Sequence, residues 1–417
     1  MEINSFKGLT KFGEPTKSGF FPELKTRVKK GEVRVRIIDQ VSEFDQMRES
    51  WDQLVQMADA SVYQSYAWQN SWWHNFAGNG QLYIIAFLDG DRLVGIAPFY
   101  IDSQKIFGLK KFKTLRFIGS NVPDNKGDGA FINYSVSDFL DVIVHPDYEH
   151  EIAHALLQVM RYSSGLFNRT VLQETSKSSW VQRVLVPHLK KQNWNFEIEH
   201  DDVFPVLYLG NNNKSGAMDK FINERKSCIR TQIRQLNRII DERKYFKINM
   251  IHTEAELEYY YPLLVEMHQK RWNDQGYPGS FQNLNYTRFL LDVFRSLLIE
   301  GRLWFVVVET SENAIAFNVS MLQGNKVYEI MKAYDHNSSY SKYRPANVAQ
   351  FYMISHALQA DYIEIHFLRE MEKQKHELTG IEINNYVLNV DNTNSSRIKK
   401  ALLWMHDVFQ KYQGKMS

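Results

Sequence analysis

The chain has 417 residues, 44% of them hydrophobic, enough to bury one large core or two of ordinary size. Its 50 Lys and Arg stand against 48 Asp and Glu, a net charge of +2, so the balance points to no polyanion and no nucleic-acid partner is expected. The single cysteine, Cys228, excludes an internal disulfide and a cysteine-based metal site, which favours a reducing, cytoplasmic setting and chemistry without a metal.

Residues 1–32 carry Lys7, Lys11, Lys17, Lys25, Arg27, Lys29 and Lys30 without periodicity or an apolar run of the signal-peptide kind. They read as a basic flexible tail, with electrostatic contact to anionic lipid at the inner face of a membrane, or to polysaccharide, as the sharper alternative. No stretch approaches the roughly 18 apolar residues of a spanning helix. From Val33, "VRVRIID" predicts a strand and the segments around Trp51 and Trp68–Phe76 predict helices. "LYIIAFLDGDRLVGIAPFYI" reads as two strands joined at Asp89-Gly90-Asp91, a hairpin signal. "FKTLRFIG" and "DFLDVIVHP" predict two more strands and "EHEIAHALLQVM" a helix. Aromatic pairs such as Trp72-Trp73 and Tyr259-Tyr260 read as core and inter-domain packing rather than as a stacking site.

"LGNNNKSG", Leu209 to Gly216, is polar and turn-forming, and divides the chain into domains 33–209 and 210–417. A helix near 218–244 follows, with Arg230, Arg234 and Arg238 four residues apart, either a solvated face or a row of guanidiniums for a phosphate or sugar-phosphate. "AELEYYYPLLVEMHQKRW" predicts a helix kinked or restarted at Pro262, with His268, Arg271 and Trp272 in its last turn feeding a Gly/Pro loop. That is a place for an acceptor pocket, Trp272 offering a flat face to a sugar ring or acyl chain. "YTRFLLDVFRSLLIEG" is an amphipathic core helix.

"RLWFVVVE", "IAFNVSML" and "KVYEIMKAY" predict an antiparallel meander. After Asp335 comes the loop "HNSSYSKYR", then a helix opening at Pro345, with Arg344 pushed extended by the proline and placed at the cap. "YIEIHFL" returns as a strand, its alternation placing Tyr362, Glu364 and His366 on one face. Strand, loop, helix start and strand form a unit that can hold a nucleotide-like cofactor, because amide donors at a helix start favour phosphate. "EINNYVLNV" closes the sheet and "SSRIKKALLWMHDVFQKY" predicts a last helix.

The stretches "HQKRW", "AIAFNVSML", "MKAYD" and "HFLREMEKQK", with "WQNSWWHNF" in the N-terminal half, resemble the GNAT-like acetyltransferase family named for cellulose-biosynthesis acyltransferases, relatives of the Fem peptidyltransferases. The resemblance implies an α/β (α+β) fold of two tandem GNAT-like domains, each a mixed sheet flanked by helices. It implies acyl-CoA as cofactor, its thioester arm lying where "VYEIMKAY" and "YIEIHFL" splay apart. Residues Ala333, Lys342, Arg344, Ala346, Asn347 and Val348 would then hold the cofactor. Asp335 or His366 would be the base, with Glu364 and the thiolate-protonating Tyr334 beside them. The acceptor would meet His268, Arg271, Trp272, Arg230, Arg234, Arg369 and Lys375. Where the family usually has Asp-Phe-Leu-Arg-Gly, this chain has His366, Phe367, Leu368, Arg369 and Glu370, and Pro345-Ala346 replaces a common Pro-Gly. A loop without glycine approaches a pyrophosphate less closely, and Lys342 and Arg344 offset that with charge.

The expected activity is N- or O-acyl transfer to a sugar or glycolipid acceptor in polysaccharide or envelope assembly. The alternatives are a Fem-like transferase fed by aminoacyl-tRNA, and a non-catalytic anion- or glycan-binding protein on the same scaffold.

Overall fold

In the computed structural model, residues 24–28, 31–106, 110–120, 136–210, 221–223, 227–242, 246–367, 369, 379 and 381–391 are described. Strands β1 (Leu24–Val28) and β2 (Gly31–Ile38) pair antiparallel, so part of the stretch read as a flexible tail is a strand. The alternating β2 needs a partner on its outer edge, and the preceding residues supply it. Helices α1 (Val41–Phe44), α2 (Arg48–Met57) and α3 (Tyr66–Phe76) follow. Next come β3 (Gln81–Leu82), β4 (Ile84–Asp89) and β5 (Arg92–Ala97), the last two joined by the expected tight turn with Gly90 at φ 61°. The half continues with β6 (Phe99–Ile106), β7 (Lys110–Phe117), β8 (Ile143–Val144), α4 (Glu149–Tyr162), β9 (Arg169–Ser176), α5 (Val186–Lys191) and β10 (Phe196–Tyr208). "DFLDVIVHP" yields only the two residues of β8, because Asp141 turns its carboxylate onto the backbone N–H groups of Trp180 and Val181 instead.

The second half runs α6 (Ser227–Glu242), β11 (Lys247–Met250), α7 (Glu254–Asp274), α8 (Leu284–Ile299), β12 (Leu303–Glu309), β13 (Ala314–Gln323) and β14 (Lys326–Tyr334). It ends with α9 (Pro345–Gln359), β15 (Glu364–His366) and β16 (Ile381–Asp391). A capping box of Thr253 and Glu256 starts α7, which passes through Pro262 as one helix rather than restarting there. The last helix expected from sequence and residues 211–216 of the expected linker lie outside the described residues.

Five strands form one antiparallel sheet, ordered β1-β2-β4-β5-β8, and eleven form a second, ordered β11-β12-β13-β14-β15-β10-β16-β9-β7-β6-β3. The large sheet has two parallel steps, β7 beside β9 and β14 beside β15, each joined through a helix. The fold is thus the expected mixed α/β sheet flanked by helices, with the strand–loop–helix–strand grammar in both halves. β10 lies between β15 and β16, so a strand that precedes the 211–216 linker completes the sheet of the second half.

One apolar layer packs α7, α8 and the N-terminal helices against the sheet; the other packs α6 and α9. The aromatic block of α3 belongs to the first, Trp68 meeting Phe289 of α8 at 4.8 Å between ring centres and Phe76 meeting it at 5.3 Å. These rings are packing between the two halves.

Candidate active site

The site is set by a short pairing. β14 and β15 run parallel for three residue pairs only, Lys326 with Glu364, Val327 with Ile365 and Tyr328 with His366. Beyond His366 the chain turns toward β10, where the Phe367 N–H donates to the Pro205 carbonyl at 3.0 Å. β14 meanwhile runs on to Tyr334, and among the described residues no strand pairs with Glu329–Tyr334 on that side. Among the described residues the ladder between them thus ends in a wedge-shaped gap, with its vertex at Tyr328 and His366 and its open end at Tyr334. β14 also bulges at its vertex: Val319 faces Met331 and Ser320 faces Glu329, so Ile330 is an extra residue. The bulge turns Ile330 and Met331 to the same layer and leaves Glu329 and Tyr334 on the α9 side.

At the vertex, on the layer of α7 and α8, the ring of His366 stacks on Tyr328 at 4.7 Å and meets the edge of Phe139 at 5.4 Å. His366 Nε2 lies 3.0 Å from Glu364 Oε2, and that hydrogen bond holds the Glu364 carboxyl below its usual range. A carboxylate only accepts, so the proton of the neutral ring sits on Nε2 and Nδ1 keeps its lone pair. Nδ1 is buried and has no hydrogen-bond partner among the described residues. Tyr362, expected on the same face, instead packs on Trp304 in the other layer, because the strand begins only at Glu364.

Glu329, which sequence reasoning missed, is buried on the α9 side and accepts from Asn318 Nδ2 at 2.7 Å and from Gln350 Nε2 at 2.8 Å, with Lys332 Nζ at 3.8 Å. Only the bulge gives these polar groups a common layer, and no pattern in the sequence announces the bulge.

The open end collects a second group. Tyr334 closes β14, and the Arg271 guanidinium lies over its ring, 4.8 Å from the centre. Asp335 accepts the Asn337 N–H at 3.0 Å through Oδ1, and Asp274 of α7 pairs with His336 at 3.0 Å. Trp272 donates its indole N–H to His268 Nε2 at 3.1 Å. Tyr334 and Asp335 lie six and seven residues along the strand from Tyr328, ~20 Å at the usual rise. The four residues expected to act together thus form two pairs at opposite ends of the wedge, Glu364 with His366 and Tyr334 with Asp335.

The loop into α9 ends in a short 3₁₀ turn, Ser341–Tyr343, and Arg344 caps the helix with φ 53° and ψ 59°. This corrects the extended conformation expected before Pro345: reversing the chain from the 3₁₀ turn into the helix needs a left-handed residue there, at a cost of about 1–2 kcal/mol for a side chain with a Cβ. The N–H groups of Asn347 and Val348 both donate to the Arg344 carbonyl, at 2.9 and 3.1 Å. The loop therefore offers a phosphate mainly the exposed charges of Lys342 and Arg344. Ala346 is half-buried, while Ala333 and Val348 are core residues.

The remaining expected contacts are dispersed. Arg230 and Arg234 lie on α6, whose Ile233 packs in the α9 layer, and Arg230 donates to the Asn223 carbonyl. Arg369 is committed to a buried network: it donates to Asp138 Oδ1 at 2.8 Å, Glu174 Oε1 at 2.9 Å and the Ser137 carbonyl at 3.1 Å, over the Phe204 ring. Tyr63 and Asn385 complete it. Gln173 and Glu174 bulge opposite Val387 in β9, with Glu174 at φ 59°, and burial pushes the Glu174 carboxyl up to about 8. Lys375 lies outside the described residues.

Residues 227–376, from α6 through β15, match the family model of the acetyltransferase (GNAT) domain. No curated protein matches the chain. Among solved structures, FemX is similar with a TM-score of 0.54 at 11% identity, over 84% of this chain and 96% of that one. A conserved protein of unknown function from Bacteroides thetaiotaomicron gives 0.51 at 11% identity, over 86% and 100%. The C-terminal domain of a candidate lysylphosphatidylglycerol synthetase from Agrobacterium fabrum gives 0.50 at 10% identity, over 89% and 96%. At such identities the likeness is one of fold. No helix among the described residues is long and apolar enough to cross a membrane.

Proposed function

We propose that the chain is an acyl-CoA-dependent N- or O-acyltransferase working in the wedge between β14 and β15. The observation that carries this is the divergence of the two strands after three residue pairs, in a span that matches a GNAT domain. The edge of Glu329–Tyr334 that no described strand pairs suits an amide-bearing arm laid along it, and Lys342 and Arg344 at the open end suit its phosphates. When bound, acyl-CoA supplies an activated acyl carbonyl and a thiolate leaving group.

The chain's own part is proton handling and placement. His366 Nδ1 takes the proton of the acceptor's amine or hydroxyl, and Glu364 holds the ring in the tautomer that leaves Nδ1 basic. Backbone N–H groups at the bulge of β14, close in sequence to Tyr328, would serve a developing oxyanion. A sugar or glycolipid acceptor of polysaccharide or envelope assembly rests on the motif resemblance. Titration of the full chain with acetyl-CoA by calorimetry, followed by thiol release with an amino sugar, tests the reading. Saturable binding supports it, and absence of binding removes it.

A further inference from the structure

The last turn of α7 holds polar atoms that the fold leaves without partners. Trp272 donates its indole N–H to His268 Nε2 at 3.1 Å, and an indole can only donate. Burial, with the positive charge of Arg271 adding to it, pushes His268 down to about 4, so the ring is neutral at pH 7 and its one proton sits on Nδ1. That Nδ1 is buried and has no hydrogen-bond partner among the described residues, and the same holds for Nε of Arg271, three residues on and on the same helix face. Among the described residues the Arg271 guanidinium lies over the rings of Tyr334, at 4.8 Å, and Trp272, at 5.9 Å, and no carboxylate pairs with it. The nearest candidate on its own helix, Asp274, is taken by His336. The carbonyl end of α7 eases the charge but offers nothing to a buried N–H. Two buried N–H donors, one of them cationic, thus lie one turn apart on one helix face without an acceptor among the described residues.

From this we propose that His268 and Arg271 form a seat for an oxyanion, a phosphate or carboxylate group of a substrate, at the open end of the wedge. The seat deepens the transferase reading and rests on it for the source of the anion: the phosphates of the acyl donor, or an acidic group carried by the acceptor. Its position beside Tyr334, ~20 Å along the strand from His366, requires a ligand that is extended between the anion and the reacting group.

Inorganic phosphate is the probe, added to the full chain labelled with ¹⁵N-histidine and followed at His268 Nδ1, assigned with the H268Q variant. This signal is blind to phosphate at the start of α9. The expected result is a saturable shift that weakens about tenfold or more in R271Q and is retained in R271K. No shift in the wild-type chain, or an equal response in a folded R271Q, overturns the seat. Acetyl-CoA and S-acetylpantetheine, which lacks the phosphates, are then added in turn. Displacement of phosphate by acetyl-CoA alone assigns the anion to the donor; persistence of phosphate on the acetyl-CoA-bound chain assigns it to the acceptor. If acetyl-CoA does not bind while the Arg271-dependent shift remains, the donor site falls and the seat stands.

Discussion

Replacing Arg369 by Met removes the cation that, among the described residues, pairs with the buried carboxylates of Asp138 and Glu174. Asp138 loses two charge-assisted hydrogen bonds and keeps the Tyr63 hydroxyl, and Glu174 keeps only the Asn385 amide. Removing one partner of a buried ion pair costs about 3–5 kcal/mol, mostly through the charge left behind. The pH dependence carries the sharper test. Glu174 is pushed up to about 8 by burial, with Arg369 pulling against that, so in the wild-type fold it holds its proton where the unfolded chain, with an ordinary glutamate near 4.5, does not. A carboxyl raised in the fold makes stability fall as pH climbs from the unfolded value to the folded one, and level off beyond it. Without Arg369 the folded value rises further, so the decline continues past pH 8 in the variant after it has flattened in the wild type. Urea unfolding between pH 6 and 9 should show a gap of about 3–5 kcal/mol up to pH 7 that widens above pH 8. In R369M/E174Q the widening should disappear. A gap below about 1 kcal/mol, or one that narrows with pH, would refute the account of this network.

Other outcomes follow from single contacts. His366→Gln should lower turnover by about 10²–10⁴-fold with acetyl-CoA affinity kept, and Glu364→Gln by less, read from thiol release and calorimetry. Wild-type rates in both would remove the dyad from the chemistry. Arg344→Gly should relieve the left-handed backbone and raise stability by about 1 kcal/mol while weakening acetyl-CoA binding, whereas Arg344→Ala should weaken binding without the stability gain. His188 packs against His150 and His154 beside Lys191, and burial with those charges lowers its proton affinity. Its folded value is depressed, so the unfolded chain gains the proton first and stability falls as pH drops below about 6.5. His188→Gln should flatten that acid limb in a thermal-melt series.

Much of the architecture was legible because it rests on local signals. The Asp89-Gly90-Asp91 turn, the meander of β12 to β14 and the proline start of α9 each follow from residue chemistry within a few positions. What escaped depends on pairing at long range. The bulge at Ile330 and the left-handed Glu174 are register events between strands, and sequence alternation cannot place them. Alternation alone puts His366 and Glu364 on one strand face, but the contact of His366 with Phe139 needs the N-terminal half folded against it. Arg369 looked like a substrate contact because its carboxylate partners lie 231 and 195 residues away.

The placement of β10 bears on how this protein can be cut. Its residues Val206–Tyr208 bond to β15 on one flank, and its Phe196–Val206 to β16 on the other. A fragment beginning at residue 210 would contain the whole matched acetyltransferase span, yet would present two raw strand edges where its neighbour had been. Such a piece is expected to precipitate or to borrow a strand from another copy; adding the 196–208 segment back, by fusion or as a peptide, should cover those two edges but not the flank of β16 held by β9 or the face of α8 covered by α3, so a monodisperse product should need the N-terminal half.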